Sequence, residues 1–178
     1  MKLSIITINY NDKVNLKKTI DSVKRQTFKI NTDYEFIVID GKSTDGSIEL
    51  IKSENIITKY ICEKDKGIYD AMNKGLKIAK GDFVNFLNAG DYYLNDKILE
   101  KIFIKKKIYK YDLVYGPVIV LRNNIKKIYH PKRFTKFNLY FWTTRTVCHQ
   151  AMFVRKNIVG KYSDKYRLKG ELNWYFDL

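Results

Sequence analysis

Apolar and polar positions in the first half of the chain form two alternating kinds of segment. Short continuous apolar runs predict four buried strands, at Leu3–Asn9, Tyr34–Asp40, Tyr60–Cys62 and Phe83–Leu87. Between these runs, apolar residues recur at helical spacing, which predicts helices over Asp12–Gln26, Ser47–Ser53 and Ile68–Ala79. Strands that alternate with helices are typical of a parallel sheet covered on both faces.

Polar residues follow each of these predicted strands directly. They lie at Asn9–Asn11, Asp40, Glu63–Asp65 and Asn88–Asp91. In parallel sheets, ligands bind beyond the carboxyl ends of the strands, where such residues meet. The pattern therefore predicts one binding site at this edge, although ordinary surface loops are polar as well.

The second half of the chain has a mixed pattern. It predicts a helix over Lys97–Lys107, strands at Asp112–Leu121, Lys126–His130 and Val147–Val154, and the start of an amphipathic helix at Glu171–Leu178. Pro117 indicates an edge or a bulge in the first of these strands. The predicted fold is an α/β domain, with a mostly parallel sheet flanked by helices and completed by antiparallel strands. No C-cap signal precedes Leu178, so we expect a C-terminally truncated domain.

The composition is that of a globular protein. With 178 residues, 45% of them hydrophobic, the chain fits a single domain. Cys62 and Cys148 lack the spacing of a zinc site and suit a reducing compartment. No apolar run approaches the roughly 20 residues that cross a bilayer, and none resembles a signal peptide. We therefore expect a cytoplasmic protein.

The net charge of +15 has two interpretations. A basic surface attracts nucleic acid, anionic lipid or polyanionic substrates. Dispersed lysines on solvated faces account for the same charge without any partner. The stretch from Tyr109 to Trp142 mixes aromatic and basic residues, which fits single-stranded nucleic acid or, as the better functional interpretation, a membrane surface. Aromatic core residues with lysines outside are the simplest account of the same pattern.

The loops after the strands exclude two common classes of nucleotide site. The loop after the first strand contains no glycine, so a GxGxxG dinucleotide fingerprint is absent, and no GxxxxGK[ST] motif occurs. The remaining class is a site in which a divalent ion bridges a diphosphate to carboxylates at the strand ends, because Mg²⁺ and Mn²⁺ prefer hard oxygen ligands. Asp91 is the candidate ligand, and its alternative role is that of a turn residue.

Several segments, in order along nearly the whole chain, resemble family 2 glycosyltransferases. They are Thr7–Asn11 (TINYN), Phe36–Gly46 with its STDG end, Asp65–Gly75 (DKGIYDAMNKG), Phe86–Asp91 (FLNAGD) and Cys148–Gln150 (CHQ). The third segment is similar to the bacterial polysaccharide and colanic-acid-type branch. Each motif is weak alone, but their combination is specific.

The resemblance implies a GT-A-type, Rossmann-like fold that uses a nucleotide-activated sugar. It implies a nucleotide-binding half over residues 1–91 and an acceptor-side half over residues 92–178. By resemblance, the nucleotide-binding residues are Asn9, Tyr10, Asn11, Asp40, Asp65, Asp70, Lys74 and Asn88. Asp91 would hold Mn²⁺ or Mg²⁺, with His149 as a candidate second ligand, because many relatives carry a carboxylate where this chain has Asn88 or Gly90.

The resemblance also implies an inverting transfer from a nucleotide-sugar donor, by default a UDP-sugar, to a glycan or lipid-linked acceptor in bacterial surface polysaccharide synthesis. The family's base falls at the start of a late helix, which makes Glu171 the catalytic candidate. The alternative is a carboxylate in the first turn of that helix, which interacts favourably with the helix dipole. Two other functions stay open: an inactive or truncated nucleotide-sugar-binding remnant, and a nucleic-acid-binding domain. No nucleic-acid-binding motif supports the second.

Overall fold

A six-stranded mixed sheet forms the centre of the computed structural model, which describes residues 1–105, 108–123, 125–131 and 148–162. The six strands of this sheet are β1 (Leu3–Asn9), β2 (Tyr34–Asp40), β3 (Lys59–Cys62), β4 (Phe83–Phe86), β5 (Leu113–Tyr115) and β8 (Met152–Arg155), while β6 (Val118–Arg122) and β7 (Ile125–Tyr129) form a separate pair. The strand order is β3-β2-β1-β4-β8-β5. The first four strands are parallel, whereas β8 runs antiparallel to both β4 and β5. The predicted α/β architecture is confirmed.

Helices cover both faces of this sheet. They are α1 (Lys13–Lys24), α2 (Ser47–Ser53), α3 (Ile68–Ile78) and the single turn α4 (Ile98–Glu100), which continues as a π-helical turn over Lys101–Lys105. Short 3₁₀ turns occupy Ile108–Lys110, His149–Ala151 and Lys156–Ile158. None of the helices in the described ranges is long and apolar enough to cross a membrane.

The burial of both faces follows from the period of two along each strand. Ile5 and Phe36 pack into a cluster with Leu16 of α1, whereas Ile6 and Ile37 pack on the opposite face with Met72 of α3. Every residue of β1 and β2 is therefore buried, which explains why both strands read as continuous apolar runs.

A buried carboxylate anchors the amino-terminal edge of the sheet. Glu35 accepts hydrogen bonds from Ser4 Oγ at 2.7 Å, from Lys59 Nζ at 2.6 Å and from the Lys80 amide. Burial acts to raise the pKa of Glu35, but these donors outweigh it, so the pKa lies below its usual value. The contacts tie β1, β2 and β3 together at the end away from the predicted binding edge.

Three predictions for the second half need correction. The single strand at Asp112–Leu121 is wrong: Gly116 and Pro117 divide it into β5, which pairs with β8, and β6, which pairs with β7 in a separate hairpin. Proline donates no ladder hydrogen bond, so the chain leaves the sheet there. The strand predicted at Val147–Val154 begins only at Met152, after a 3₁₀ turn.

The helix predicted at Lys97–Lys107 is also irregular. One α turn passes directly into a π turn, and the segment is described only to Lys105. Isoleucines at 98, 102 and 104 weaken helix formation there, because a helix restricts the rotamers of β-branched side chains. The helix predicted at Glu171–Leu178 lies outside the described residues.

Gly75 sets how closely α3 approaches the sheet. A Cβ at this position would lie 2.4 Å from Ile6 Cγ2, a fully buried side chain of β1. The spacing therefore requires glycine for steric reasons, although α3 would be a better helix with alanine. The position of α3 matters because its amino-terminal end reaches the binding edge.

We expect Gly75→Ala to lower the free energy of unfolding by about 1–3 kcal/mol, because overpacking against Ile6 exceeds the gain in helix propensity. Urea denaturation followed by circular dichroism measures this. Gly116→Ala is the matched control, since a Cβ there meets no atom within 4 Å. Equal stability of the two variants would contradict the packing argument.

Candidate functional site

A cavity of about 710 Å³ opens at the carboxyl ends of β1, β2 and β4. The described residues that line it are Ile8, Asn9, Tyr10, Asp12, Gly41, Lys42, Lys64, Asp65, Lys66, Gly67, Ile68, Ala71, Asn88 and Ala89. The volume suits a ligand of nucleotide size. The predicted convergence of polar strand ends is confirmed for Asn9, Asp65 and Asn88.

Asn9 lines one wall of the cavity, and Asp40 supports Asn9 from behind. Asp40 is fully buried, and its carboxyl oxygens accept from Asn9 Nδ2 at 2.8 Å and from the amide and hydroxyl of Ser43, each at 2.7 Å. Asp40 is absent from the described lining, so it lies behind Asn9. Because Asp40 can only accept from the asparagine, Asn9 must turn its amide NH₂ inward, which leaves Oδ1 as an acceptor. That oxygen is buried and has no hydrogen-bond partner among the described residues.

Tyr10 and Asn11 follow Asn9 but serve differently. Tyr10 lines the cavity and is 69% exposed, so its ring is free to stack on a planar ligand. Asn11 has a left-handed backbone (φ 49°), its amide donates to Ser43 Oγ, and its side chain accepts from the Thr44 amide at 2.8 Å. Asn11 therefore joins the loops after β1 and β2, and it is not among the described lining residues.

Lys74 is the centre of a charge cluster on the opposite wall. Its ammonium lies 3.0 Å from Glu63, 2.5 Å from Asp65 and 3.2 Å from Asp70. Burial alone would lower the pKa of Lys74, but the three carboxylates raise it well above its usual value. The ammonium is thus already neutralised by its neighbours.

The two carboxylates predicted beside Lys74 differ in access to the cavity. Asp65 lines it, and burial raises the pKa of this carboxyl against the opposing effect of Lys74. Asp70 accepts from the Lys66 amide at 3.0 Å, which lowers its pKa and fixes the start of α3. Of this predicted group only Asp65 is among the described residues that face the cavity.

Three exposed lysines at the cavity were missed by the sequence analysis. They are Lys42, Lys64 and Lys66, and none forms an ion pair within the described parts of the chain. The amino-terminal end of α3 also reaches the cavity at Gly67 and Ile68. Backbone amides at a helix start and free lysines both favour an anion. The flanking of Asp65 by two lysines was the available signal in the sequence.

The Asn88–Asp91 turn forms the third side, and antiparallel β8 brings His149 to it. Asn88 Nδ2 lies 3.4 Å from His149 Nε2, and Asn88 Oδ1 is buried with no partner in the described structure. Burial raises the pKa of Asp91, while a hydrogen bond from Gln150 opposes this. Asp91 itself is not among the described lining residues.

The predicted metal ligands fit a divalent ion only in part. Across the ranges that the structure describes, no three His, Cys, Asp or Glu side chains gather in a way that could enclose a metal. Asp91 ends the Asn88–Asp91 turn, and His149 lies beside Asn88 of the same turn, whose Oδ1 is buried without a partner among the described residues. Mg²⁺ commonly binds through one or two carboxylates and keeps water and substrate phosphates as its other ligands. The described residues therefore supply candidate ligands without forming a metal site by themselves.

The predicted base, Glu171, lies outside the described residues.

Thr19 on α1 holds the turn that carries Asp91, a role that the sequence analysis did not predict. Its fully buried hydroxyl accepts from the Gly90 amide at 3.0 Å and lies 2.8 Å from the Asp91 carbonyl, to which it donates. Gly90 has φ 95°, a left-handed conformation that favours glycine.

The chain is similar in sequence to known glycosyltransferases. Residues 4–163 match the family described as glycosyl transferase family 2. A PGL/p-HBAD biosynthesis glycosyltransferase of Mycobacterium bovis (strain BCG / Pasteur 1173P2) is 33% identical over 184 residues, covering 98% of this chain and 68% of that protein.

Two solved structures share the fold. The structure of S. aureus TarS 1-349 in complex with UDP has a TM-score of 0.77 and 20% identity, covering 98% of this chain and 54% of that one. Mannosyltransferase PcManGT from Pyrobaculum calidifontis, in complex with GDP-Man and Mn²⁺, has a TM-score of 0.58 and 20% identity, covering 68% of this chain and 36% of that one. The chain thus spans about half of the first structure and about a third of the second. These likenesses confirm the predicted GT-A-type fold.

We expect Thr19→Val to speed amide hydrogen exchange at Gly90 and Asp91 and to lower stability by about 1–3 kcal/mol, because it leaves buried polar groups of the turn without their partner. Exchange followed by NMR tests this. Thr19→Ser keeps the hydroxyl and should behave like the wild-type protein. Unchanged amide exchange in Thr19→Val would show that the turn does not depend on the Thr19 hydroxyl.

We expect Lys74→Met to raise the pKa of Asp65 further, because removing a cation from a carboxylate cluster disfavours the charged form. The measurement is an NMR titration of the Asp65 carboxyl. Lys77→Met, an exposed position one turn away on the same helix, should leave that pKa unchanged. A pKa of Asp65 that is insensitive to Lys74 would refute the assigned coupling.

Proposed function

This chain belongs to glycosyl transferase family 2, and on that premise we propose that it transfers a sugar from a nucleoside-diphosphate donor to a glycan or lipid-linked acceptor. The setting that we propose is bacterial surface polysaccharide synthesis. We further propose an inverting reaction that depends on Mn²⁺ or Mg²⁺. Transfer to nucleic acid, or binding of it, is not part of this proposal.

The single observation that carries the proposal is the pairing of two different walls in one cavity. On one side lie Asn9 Oδ1, a buried acceptor with no partner among the described residues, and the exposed ring of Tyr10, which suit a nucleoside. On the other lie Lys64, Lys66 and the start of α3, which suit a diphosphate. A nucleoside diphosphate carries both kinds of group.

Residue roles follow from this division. Asn9, Tyr10 and Asn88 would contact the nucleotide directly, with Asp40 and Asn11 holding the first two in place. Asp65 would face the sugar-diphosphate, and Asp70 and Lys74 would hold Asp65 and the start of α3. All described lining residues lie before position 91, which supports a donor half over residues 1–91 and an acceptor-side half over residues 92–178.

The proposed chemistry is one displacement. The acceptor hydroxyl oxygen bonds to the anomeric carbon while the bond from that carbon to the diphosphate breaks, so the configuration inverts. The hydroxyl proton passes to a carboxylate, for which we propose Glu171. A divalent ion held by Asp91 and His149 would neutralise charge on the departing diphosphate. UDP is the proposed nucleotide because the similar TarS structure holds it, and PcManGT holds Mn²⁺ with GDP-Man.

A nucleotide-sugar-binding remnant without transfer is the second candidate. The observation that favours it is the absence, among the described residues, of three ligands that could enclose a metal. The remnant and the enzyme share the donor site, so binding alone does not separate them. Release of UDP from a UDP-sugar does, because only the enzyme catalyses it.

We expect UDP to bind more tightly with Mn²⁺ than without it, and more tightly than GDP or dTDP, in calorimetric titrations. Asp91→Ala should weaken Mn²⁺-dependent binding about tenfold or more, because the ion loses its carboxylate. Asp96→Ala, an exposed aspartate on the same segment, is the control and should bind normally. Binding that ignores both Mn²⁺ and Asp91 would overturn the metal assignment. Failure of all three nucleotides to bind would overturn the donor site.

A further inference from the structure

A small hairpin stands apart from the central sheet. Strands β6 and β7 pair antiparallel from Val118↔Tyr129 to Arg122↔Ile125 and, within the described parts of the chain, form a sheet with no third strand. Each strand has five residues, which is roughly 17 Å of extended chain. No residue of this β6–β7 hairpin is among the described residues that line the donor cavity.

The hairpin exposes apolar side chains on both faces. Directly paired residues share a face, so Ile119, Leu121 and Ile128 lie on one side, and Val120, Ile125 and Tyr129 on the other. All six side chains are exposed, Ile125 to 69% and Ile128 to 57%. A two-stranded hairpin is at best marginally stable in water, and an apolar patch of this kind indicates a contact surface.

The charge of the hairpin has one sign. Arg122, Lys126 and Lys127 lie around its tip, and the sequence has no Asp or Glu between Asp112 and Asp164. Lys127 Nζ lies 5.2 Å from the centre of the Tyr129 ring, which places an aromatic ring beside the cation. The complementary partner is therefore anionic and has an apolar interior.

We propose that the β6–β7 hairpin docks the protein on an anionic lipid membrane. The aliphatic side chains would enter the boundary between headgroups and acyl chains, and the basic residues would contact lipid phosphates. The strands are too short to cross a bilayer, which needs about 9–11 residues per strand, so the hairpin lies at the surface. Nucleic acid is the less favoured partner, because single strands bind by stacking on aromatic rings and five of the six apolar side chains are aliphatic.

This inference goes beyond the proposed function, because it concerns a surface outside the donor cavity. Its test is co-sedimentation of the whole chain with vesicles of phosphatidylcholine alone, or with about one third phosphatidylglycerol. We expect binding only to the anionic vesicles, and weaker binding at high salt. UDP titration of the same samples reports on the donor site separately, so failure of either proposal can be recognised.

The decisive variant is Lys126→Glu/Lys127→Glu, which should weaken vesicle binding about 30-fold or more, because each lysine near an anionic surface contributes to partitioning. Lys52→Glu/Lys77→Glu changes the net charge equally on α2 and α3 and should bind as the wild-type protein does. Equal weakening of vesicle binding in both variants would show that net charge alone explains the binding, and this would overturn the proposal.

A second variant tests the apolar contact. Ile119→Ser/Ile128→Ser removes one cross-strand aliphatic pair and should also weaken binding to anionic vesicles, with unchanged circular dichroism and UDP binding. No vesicle binding by the wild-type protein would overturn the proposal. A change of oligomeric state in this variant without any effect on vesicles would assign the hairpin to a second copy instead. Binding of polyuridylate, but not vesicles, that depends on Lys126 and Lys127 would assign it to nucleic acid.

Discussion

The parallel pairing of β1 with β2 is the interaction on which the rest of the site depends. Its register runs from Leu3↔Tyr34 to Asn9↔Asp40, so both strands end at the same level. Because both faces of both strands are buried, a slip by one residue would turn Asp40 and Glu35 to the opposite faces of the sheet. The register thus places Asn9 beside Asp40, so that Asp40 supports Asn9, which lines the cavity.

A buried carboxyl group lies near each end of β2, and the two groups have different structural roles. Glu35 joins three strands through Ser4 and Lys59 at the end away from the cavity. Asp40 orients the amide of Asn9 and the loop at Ser43 at the cavity end. A buried carboxyl group is costly unless its oxygens accept hydrogen bonds, and the loops around these two are built to donate them. The geometry of the cavity wall and the stability of the sheet are therefore linked through one strand.

The lysines at the cavity differ in whether they form ion pairs. Lys74 is neutralised by three carboxylates, whereas Lys64 and Lys66 on the same segment lie free of ion pairs in the described structure. A lysine that is already paired gains little from a phosphate, so the free lysines are better suited to an incoming diphosphate. The paired lysine instead holds Asp65 and the start of α3 in place. The β6–β7 hairpin adds a second basic region at the opposite edge of the sheet, after β5.

The alternation of strands and helices up to β4 could be predicted from the sequence alone, and with it the edge at which Asn9, Asp65 and Asn88 meet. Local apolar periodicity is enough for this, because both faces of a doubly covered sheet leave a continuous apolar run. The family motifs also identified the turn that carries Asp91.

The tertiary fold alone places β8 between β4 and β5, which brings His149 to Asn88 and Gln150 to Asp91. It also decided that Asp40 lies behind the cavity and that Thr19 holds the Gly90 turn. The contacts with β8 and Thr19 join residues about 60 to 70 positions apart. Strand pairing and buried hydrogen bonds over such distances leave no periodic signal along the chain, since they depend on which surfaces remain unpaired after the local elements have formed.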